Sequence, residues 1–250
     1  MKEMSLVEHL EELRTRLIRM VIIVAVAFAA CYSQGAVIAD FLLKPLREVL
    51  GSSGKVIFTG LLDKVLAEFQ IAFWSSLVLA SPLLFREAWL FIRPGLHDHE
   101  ARAVKPFVVV GFLLFACGVA FGYYVLFPFT FSTLLGMGVQ DVEAMLDVKE
   151  YLLLASKVLV FLGFLFQLPN VLLILGFMEV ATGPSLQAWR RYLYVAFAVF
   201  AALITPADVI SMMAIWIPMV ALYELGVVAV YLIVHPYLRR KHLPEIEPGA

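Results

Sequence analysis

Six long apolar runs fill most of this chain, at residues 17–33, 65–85, 106–129, 151–177, 192–204 and 209–234, with short polar stretches between them. A helix needs about 20 mainly apolar residues to cross the roughly 30 Å hydrocarbon layer, where only a helix satisfies its own backbone hydrogen bonds. The runs therefore predict an all-α, polytopic integral membrane protein with six transmembrane helices. Composition agrees: 62% of residues are hydrophobic and 16% charged, against about 25% charged in soluble domains. No low-complexity linker or fixed-period repeat divides the sequence, so residues 1–250 read as a single membrane domain.

Basic residues set the expected orientation, because they are retained on the cytoplasmic side. With the N-terminus inside, thirteen Lys and Arg fall on inner segments and five (Lys44, Arg47, Lys55, Lys64 and Lys149) on outer loops. Both termini are therefore expected to be cytoplasmic. A net charge of -1 without a basic tract gives no sign of nucleic-acid binding. Cys31 and Cys117 lie in apolar runs without CxxC spacing, so no structural disulfide is expected. Phe28-Ala29-Ala30-Cys31 imitates the end of a secretory signal. The preceding segment, however, balances its basic residues with Glu3, Glu8, Glu11 and Glu12, which predicts an uncleaved first span.

Three extramembrane segments carry information. Residues 5–16 have capping-box spacing at Ser5 and Glu8, with Leu6, Leu10, Leu13 and Leu17 on one helical stripe. An amphipathic cytoplasmic helix is expected, with Glu8 and Glu12 on the face opposite the leucines. The outer loop, 34–64, is too long for a turn and holds Pro45 within an apolar stretch, so short interfacial helices should form a cap there. The inner connection, 86–105, places Trp89 and Phe91 near the headgroups and turns at Pro94-Gly95.

The fifth run has 13 residues, Tyr192 to Ile204, or roughly 20 Å of helix at 1.5 Å per residue. Pro206 turns the chain at once, and Asp208 is placed to cap the next helix. If the sixth helix shares this thin layer, Glu224 lies near the inner surface, with the bilayer thinned around the pair.

Enzyme signatures such as HExxH, GxSxG or a Walker loop are missing, and no cofactor is implied. His97, Asp98, His99 and Glu100 lack further ligands on other inner loops, so a solvated segment explains them better than a metal site. Glu12 and Glu100 both fall at the inner surface. Glu12 has an ordinary reading as a helix pair with Arg16 at i+4. The alternative is that both carboxylates receive guanidinium groups of a peptide through bidentate bonds that Lys cannot reproduce. In the fourth run, Pro169 removes a backbone donor, and Gln167 or Asn170 either satisfies the freed groups or forms a functional polar patch. Lys157 in that run is expected to snorkel outwards or face a polar cavity.

Several segments together resemble the TatC family of twin-arginine translocase subunits: His9-Leu10-Glu11-Glu12-Leu13-Arg14-Thr15-Arg16; Trp89-Leu90-Phe91-Ile92-Arg93-Pro94-Gly95-Leu96 with His99-Glu100; Phe121-Gly122-Tyr123 with Phe127-Pro128; Phe164-Leu165-Phe166-Gln167-Leu168-Pro169; and Leu203-Ile204-Thr205-Pro206-Ala207-Asp208. The resemblance implies a non-enzymatic receptor for paired-arginine signal peptides, proton-motive-force-driven export of folded proteins, self-association, and TatA- and TatB-type single-span partners. It further implies a concave, cupped arrangement of six helices in a bacterial-type inner membrane. Glu12 and Glu100 would receive the signal arginines, supported by Arg14 and Phe91. Pro45 would lie in the outer cap, Tyr123, Pro206 and Asp208 in family motifs of the spans, and the TatB-type partner on the fifth helix. The family often has Glu where this chain has Gln167, which argues against a titrating group there. A secondary transporter with a mid-membrane site at Gln167 and Asn170 is the alternative from another class. An intramembrane hydrolase would need a nucleophile and base that the runs lack.

The thin-layer argument predicts that spin labels scanned along residues 192–224 report a shortened lipid-accessible zone; a full-thickness profile would exclude thinning there.

Overall fold

The computed structural model describes residues 6–50, 55–92, 107–136, 145–181, 183–204 and 209–237. Their contacts group into two compact units, Met1–Leu165 and Phe166–Ala250.

In the first unit, α1 (Leu6–Ser33) runs unbroken from the polar N-terminal segment through the first apolar run. It lies antiparallel against α3 (Asp63–Ile92), with His9 beside Phe91 at one end and Phe28 beside Phe69 towards the other. Between them α2 (Gly35–Leu50) is one amphipathic helix of 16 residues. Leu42, Leu43, Pro45 and Leu46 are buried, and Asp40, Lys44, Arg47 and Glu48 are exposed. Next, α4 (Phe107–Phe121) passes through a π turn at Gly122–Leu126 into α5 (Phe127–Gly136). Finally, α6 (Val148–Leu165) packs against α3 and α4, joining Leu152, Leu159 and Leu162 to Ile71, Ala72 and Phe115 in the core.

The loops also form structure that no periodicity announces. Strand β1 (Lys55–Ile57) pairs in parallel with β2 (Met145–Asp147), with Val56 opposite Leu146. Three residues are too few to display strand alternation, so only the meeting of two distant loops reveals the ladder.

The placement of α2 turns on Pro45. A proline has no N–H, so the carbonyl four residues earlier, Phe41, loses its helical partner. The Tyr123 hydroxyl replaces that donor at 2.8 Å, and the two rings stack with centroids 4.3 Å apart. One residue on, the Tyr151 hydroxyl donates to the Leu42 carbonyl at 2.7 Å. Tyr123 lies within the π turn, whose extra residue re-aims side chains on α4 relative to a regular helix. Two tyrosines from different helices thus fix a proline-interrupted helix through its backbone.

The second unit contains α7 (Leu168–Phe177), α8 (Gly183–Ile204) and α9 (Val209–Ala229), which continues as a π turn at Val230–Val234. The fourth apolar run is broken by a turn at 166–167, with Pro169 in the first turn of α7, where its missing N–H costs little. α7 ends in a Schellman motif: Glu179 N–H donates to the Gly176 carbonyl and Val180 N–H to Leu175, both at 3.0 Å. Glu179 itself takes the left-handed conformation, at φ 59°. α9 packs on both α7 and α8. At Gly226 a Cβ would lie 3.0 Å from the Pro169 Cα, so only glycine permits this approach of α9 to α7.

Among the described residues, five helical stretches are long and apolar enough to cross a membrane: 7–33, 63–92, 108–133, 148–177 and 209–237. α8 has 22 residues, but its first part carries Gln187, Arg190 and Arg191, and the apolar part begins at Tyr192.

Removing the Tyr123 hydroxyl takes the donor from a part-buried carbonyl, which costs about 0.5–1.5 kcal/mol. Tyr123→Phe should therefore lower the thermal midpoint in detergent in the native background and much less in Pro45→Ala, where residue 45 regains an N–H. Equal losses in both backgrounds would contradict the replacement of Pro45 by Tyr123 as donor.

Candidate functional site

The α1/α3 seam is polar and is formed by the face that carries Glu12 and Arg16. Leu10 and Leu17 are 63% and 51% exposed, whereas His9, Glu12, Leu13, Arg16 and Met20 are half-buried. The expected helix is present, but its packed face is rotated towards Glu12 and Arg16. The reason is electrostatic: lipid receives leucine without cost, whereas charges removed from water need partners inside the protein.

Those partners form a chain of charges. Arg16 donates from Nη2 to Glu12 Oε1 at 3.2 Å and from Nη1 to Glu87 Oε2 at 2.9 Å. Glu87 accepts a further bond from Arg86 at 3.0 Å and is only 3% exposed. The expected i+4 pair of Glu12 and Arg16 exists, joined by a buried carboxylate 71 positions further along the chain. Glu12 Oε2 is buried without a hydrogen-bond partner among the described residues. One turn towards the N-terminus, His9 stacks on Phe91 with centroids 4.6 Å apart. Arg14 is exposed. Glu12 and Phe91 therefore share one surface; Glu100, with the whole 93–106 segment, lies outside the described residues.

Glu87 is the residue that sequence reasoning passes over. Its signal is a carboxylate within two residues of an apolar run, next to Arg86, which reads equally well as an ordinary helix end.

A second polar cluster joins the loops at the other end of the unit. Lys149 Nζ donates to Asp63 Oδ1 at 2.7 Å. The Thr59 hydroxyl is shared between Asp63 and Asp147, and Asp147 caps α6 by accepting from the Lys149 and Glu150 N–H groups. The Thr59 bond, helped by those two N–H groups, holds the Asp147 carboxyl below its usual range. Its contribution to stability is present at neutral pH and is lost as pH falls through that lowered value.

The other expected residues are dispersed. Pro45 and Tyr123 are the structural pair described above, and Lys157 is exposed. Gln167 is 7% exposed and accepts from the Asn170 amide at 3.2 Å, beside Pro169. Pro206 and Asp208 lie outside the described residues. Glu224, on α9, meets α8: Arg190 Nη2 donates at 2.5 Å and the Tyr194 hydroxyl also donates to it. Trp216 Nε1 donates to the Tyr194 carbonyl at 2.9 Å, which fixes this pair of helices side by side. Glu224 thus lies at the level where the apolar part of α8 begins.

Among the described residues, no cluster of three or more His, Cys, Asp or Glu is positioned to hold a metal ion. Five helical stretches long and apolar enough to cross a membrane define a multi-pass membrane protein. Residues 8–218 match the family model described as Sec-independent protein translocase protein (TatC). The chain is 39% identical to a TatC of Desulforapulum autotrophicum over 221 residues, covering 88% of this chain and 82% of that one. A TatC of Magnetococcus marinus is also 39% identical, over 222 residues, covering 89% of this chain and 82% of that one. A crystal structure of the twin-arginine translocase receptor TatC superposes with a TM-score of 0.82 at 30% identity, covering 90% of this chain and 99% of that one. This chain belongs to the TatC family. It is a multi-pass inner-membrane subunit of the Sec-independent twin-arginine translocase and a transport protein, not an enzyme.

Because a hydrogen bond to a charged group is worth about 1.5–3 kcal/mol, Arg190→Ala should lower the thermal midpoint, and the loss should shrink when Glu224 is already Gln. Additive losses would show that the two residues do not act as a pair.

Proposed function

We propose that the α1/α3 seam is the receptor surface for paired-arginine signal peptides, with both termini of the chain cytoplasmic. The observation that carries this reading is Glu12 Oε2, a buried acceptor without a donor among the described residues, in an otherwise well-paired cluster. A peptide guanidinium supplies two parallel donors matched to a carboxylate, whereas an ammonium supplies a point charge. Glu100 provides the second carboxylate, Phe91 an apolar wall continued by His9, and Arg14 the charge flanking the surface.

On the same reading, TatA- and TatB-type single-span proteins assemble on this subunit, the TatB type along α8, and folded cargo is exported under the proton-motive force. Gln167 contributes a neutral polar contact and carries no proton. The competing reading, a solute site at Gln167 and Asn170, starts from the same broken fourth run.

The test is binding of a twin-arginine signal peptide to the protein in nanodiscs. Affinity should fall at least about tenfold, equivalent to about 1.4 kcal/mol, for a Lys-Lys peptide and for Glu12→Ala and Glu100→Ala. It should also fall with added salt, because charges at a wet surface are screened over about 8 to 10 Å at 0.1 to 0.15 M ionic strength. Equal binding throughout would return the solute site to first place.

A further inference from the structure

We infer that the receptor site is self-liganded: Arg16 occupies the place of an incoming arginine, and Glu87 is the carboxylate that retains Arg16 when it is displaced. This inference rests on the reading of Glu12 as a signal receptor. It adds Glu87 as a positioning residue and Arg16 as an internal competitor.

The argument begins with the oxygens. Glu87 has a donor on each oxygen, Oε2 accepting from Arg16 at 2.9 Å and Oε1 from Arg86 at 3.0 Å. Glu12 is half-filled, with Oε1 taken by Arg16 at 3.2 Å and Oε2 buried without a partner among the described residues. Of the two cations, Arg16 is the enclosed one, its side chain 17% exposed against 62% for Arg86. Both cations bond Glu87 and only Arg16 bonds Glu12, so among the described residues the open acceptor falls on Glu12.

An arriving guanidinium therefore has a vacant oxygen on which to start. To bind in bidentate fashion it must also take Glu12 Oε1, the longer of the two Arg16 bonds. Displacing a buried cation is ordinarily unfavourable because it leaves a charge uncompensated. Glu87 removes that penalty, since Arg16 keeps its shorter bond and remains neutralised. The exchange replaces one guanidinium with another, so a lysine, which offers a point charge and no planar fork, replaces Arg16 poorly. Discrimination between arginine and lysine then arises partly from the internal competitor.

Signal-peptide binding in nanodiscs, with folding followed by thermal melting, tests this. Glu87→Gln leaves Arg16 with Glu12 as its main partner, so affinity for the twin-arginine peptide should fall about tenfold, or about 1.4 kcal/mol. Arg16→Gln/Glu87→Gln removes competitor and retainer together and should restore affinity to at least the native value. Arg16→Lys, which keeps the charge and weakens the competitor, should tighten binding several-fold and narrow the preference for Arg-Arg over Lys-Lys peptides. A double variant as weak as Glu87→Gln, or an Arg16→Lys receptor that binds no more tightly than native, would overturn the inference. Glu12→Gln separates the two layers. If it binds normally, the receptor reading itself fails; if it loses binding while the double variant is not restored, only the self-liganded mechanism fails.

Discussion

Where water is excluded, a break in a helix has to be closed by groups the chain itself supplies. Pro45 opens α2 at the Phe41 carbonyl, and a tyrosine from another helix closes it. The fourth apolar run breaks before Pro169, and there the Gln167 and Asn170 side chains bond each other while Val171 N–H reaches back to the Gln167 carbonyl at 2.9 Å. The end of α7 is closed by its own backbone in a Schellman motif, even though this places Glu179 in a left-handed conformation better suited to glycine. The closure at Pro45 also fixes how α2 meets its neighbour, because a tyrosine that must reach a particular carbonyl allows little sliding.

The same constraint governs charge. An enclosed arginine is tolerable on α1 because two carboxylates face it, and Glu224 is tolerable on α9 because α8 brings an arginine and a tyrosine. Both clusters pair residues whose helices meet through packing, and both lie at a polar end of an apolar segment. They differ in completeness. Glu224 has a donor on each oxygen, whereas Glu12 keeps one oxygen without a donor among the described residues. That difference separates a cluster that joins helices from one suited to take a ligand.

Legibility of the sequence followed the length over which a pattern repeats. The helices of the apolar runs are visible because twenty apolar residues have few other uses, and family membership because several short motifs keep their order. The three-residue strands were hidden because no period fits in them. The packed face of α1 was not legible because a leucine stripe marks an amphipathic helix without telling which face meets α3. Leu10 and Leu17 stay exposed, and Glu12 and Arg16 turn inwards. Glu87 was passed over because one charged residue at the end of a run is ordinary until the residue opposite it is known.

By itself, then, the sequence determined the solvent, the helices and the family, since these depend on composition and on local order along the chain. Tertiary structure decided which carboxylates act together. Glu12 and Arg16 are one helical turn apart and could be paired on paper, but Glu87 joins them only when α3 returns antiparallel along α1. Whether a buried charge is satisfied or left open to a ligand depends on that long-range packing, and no spacing in the sequence encodes it.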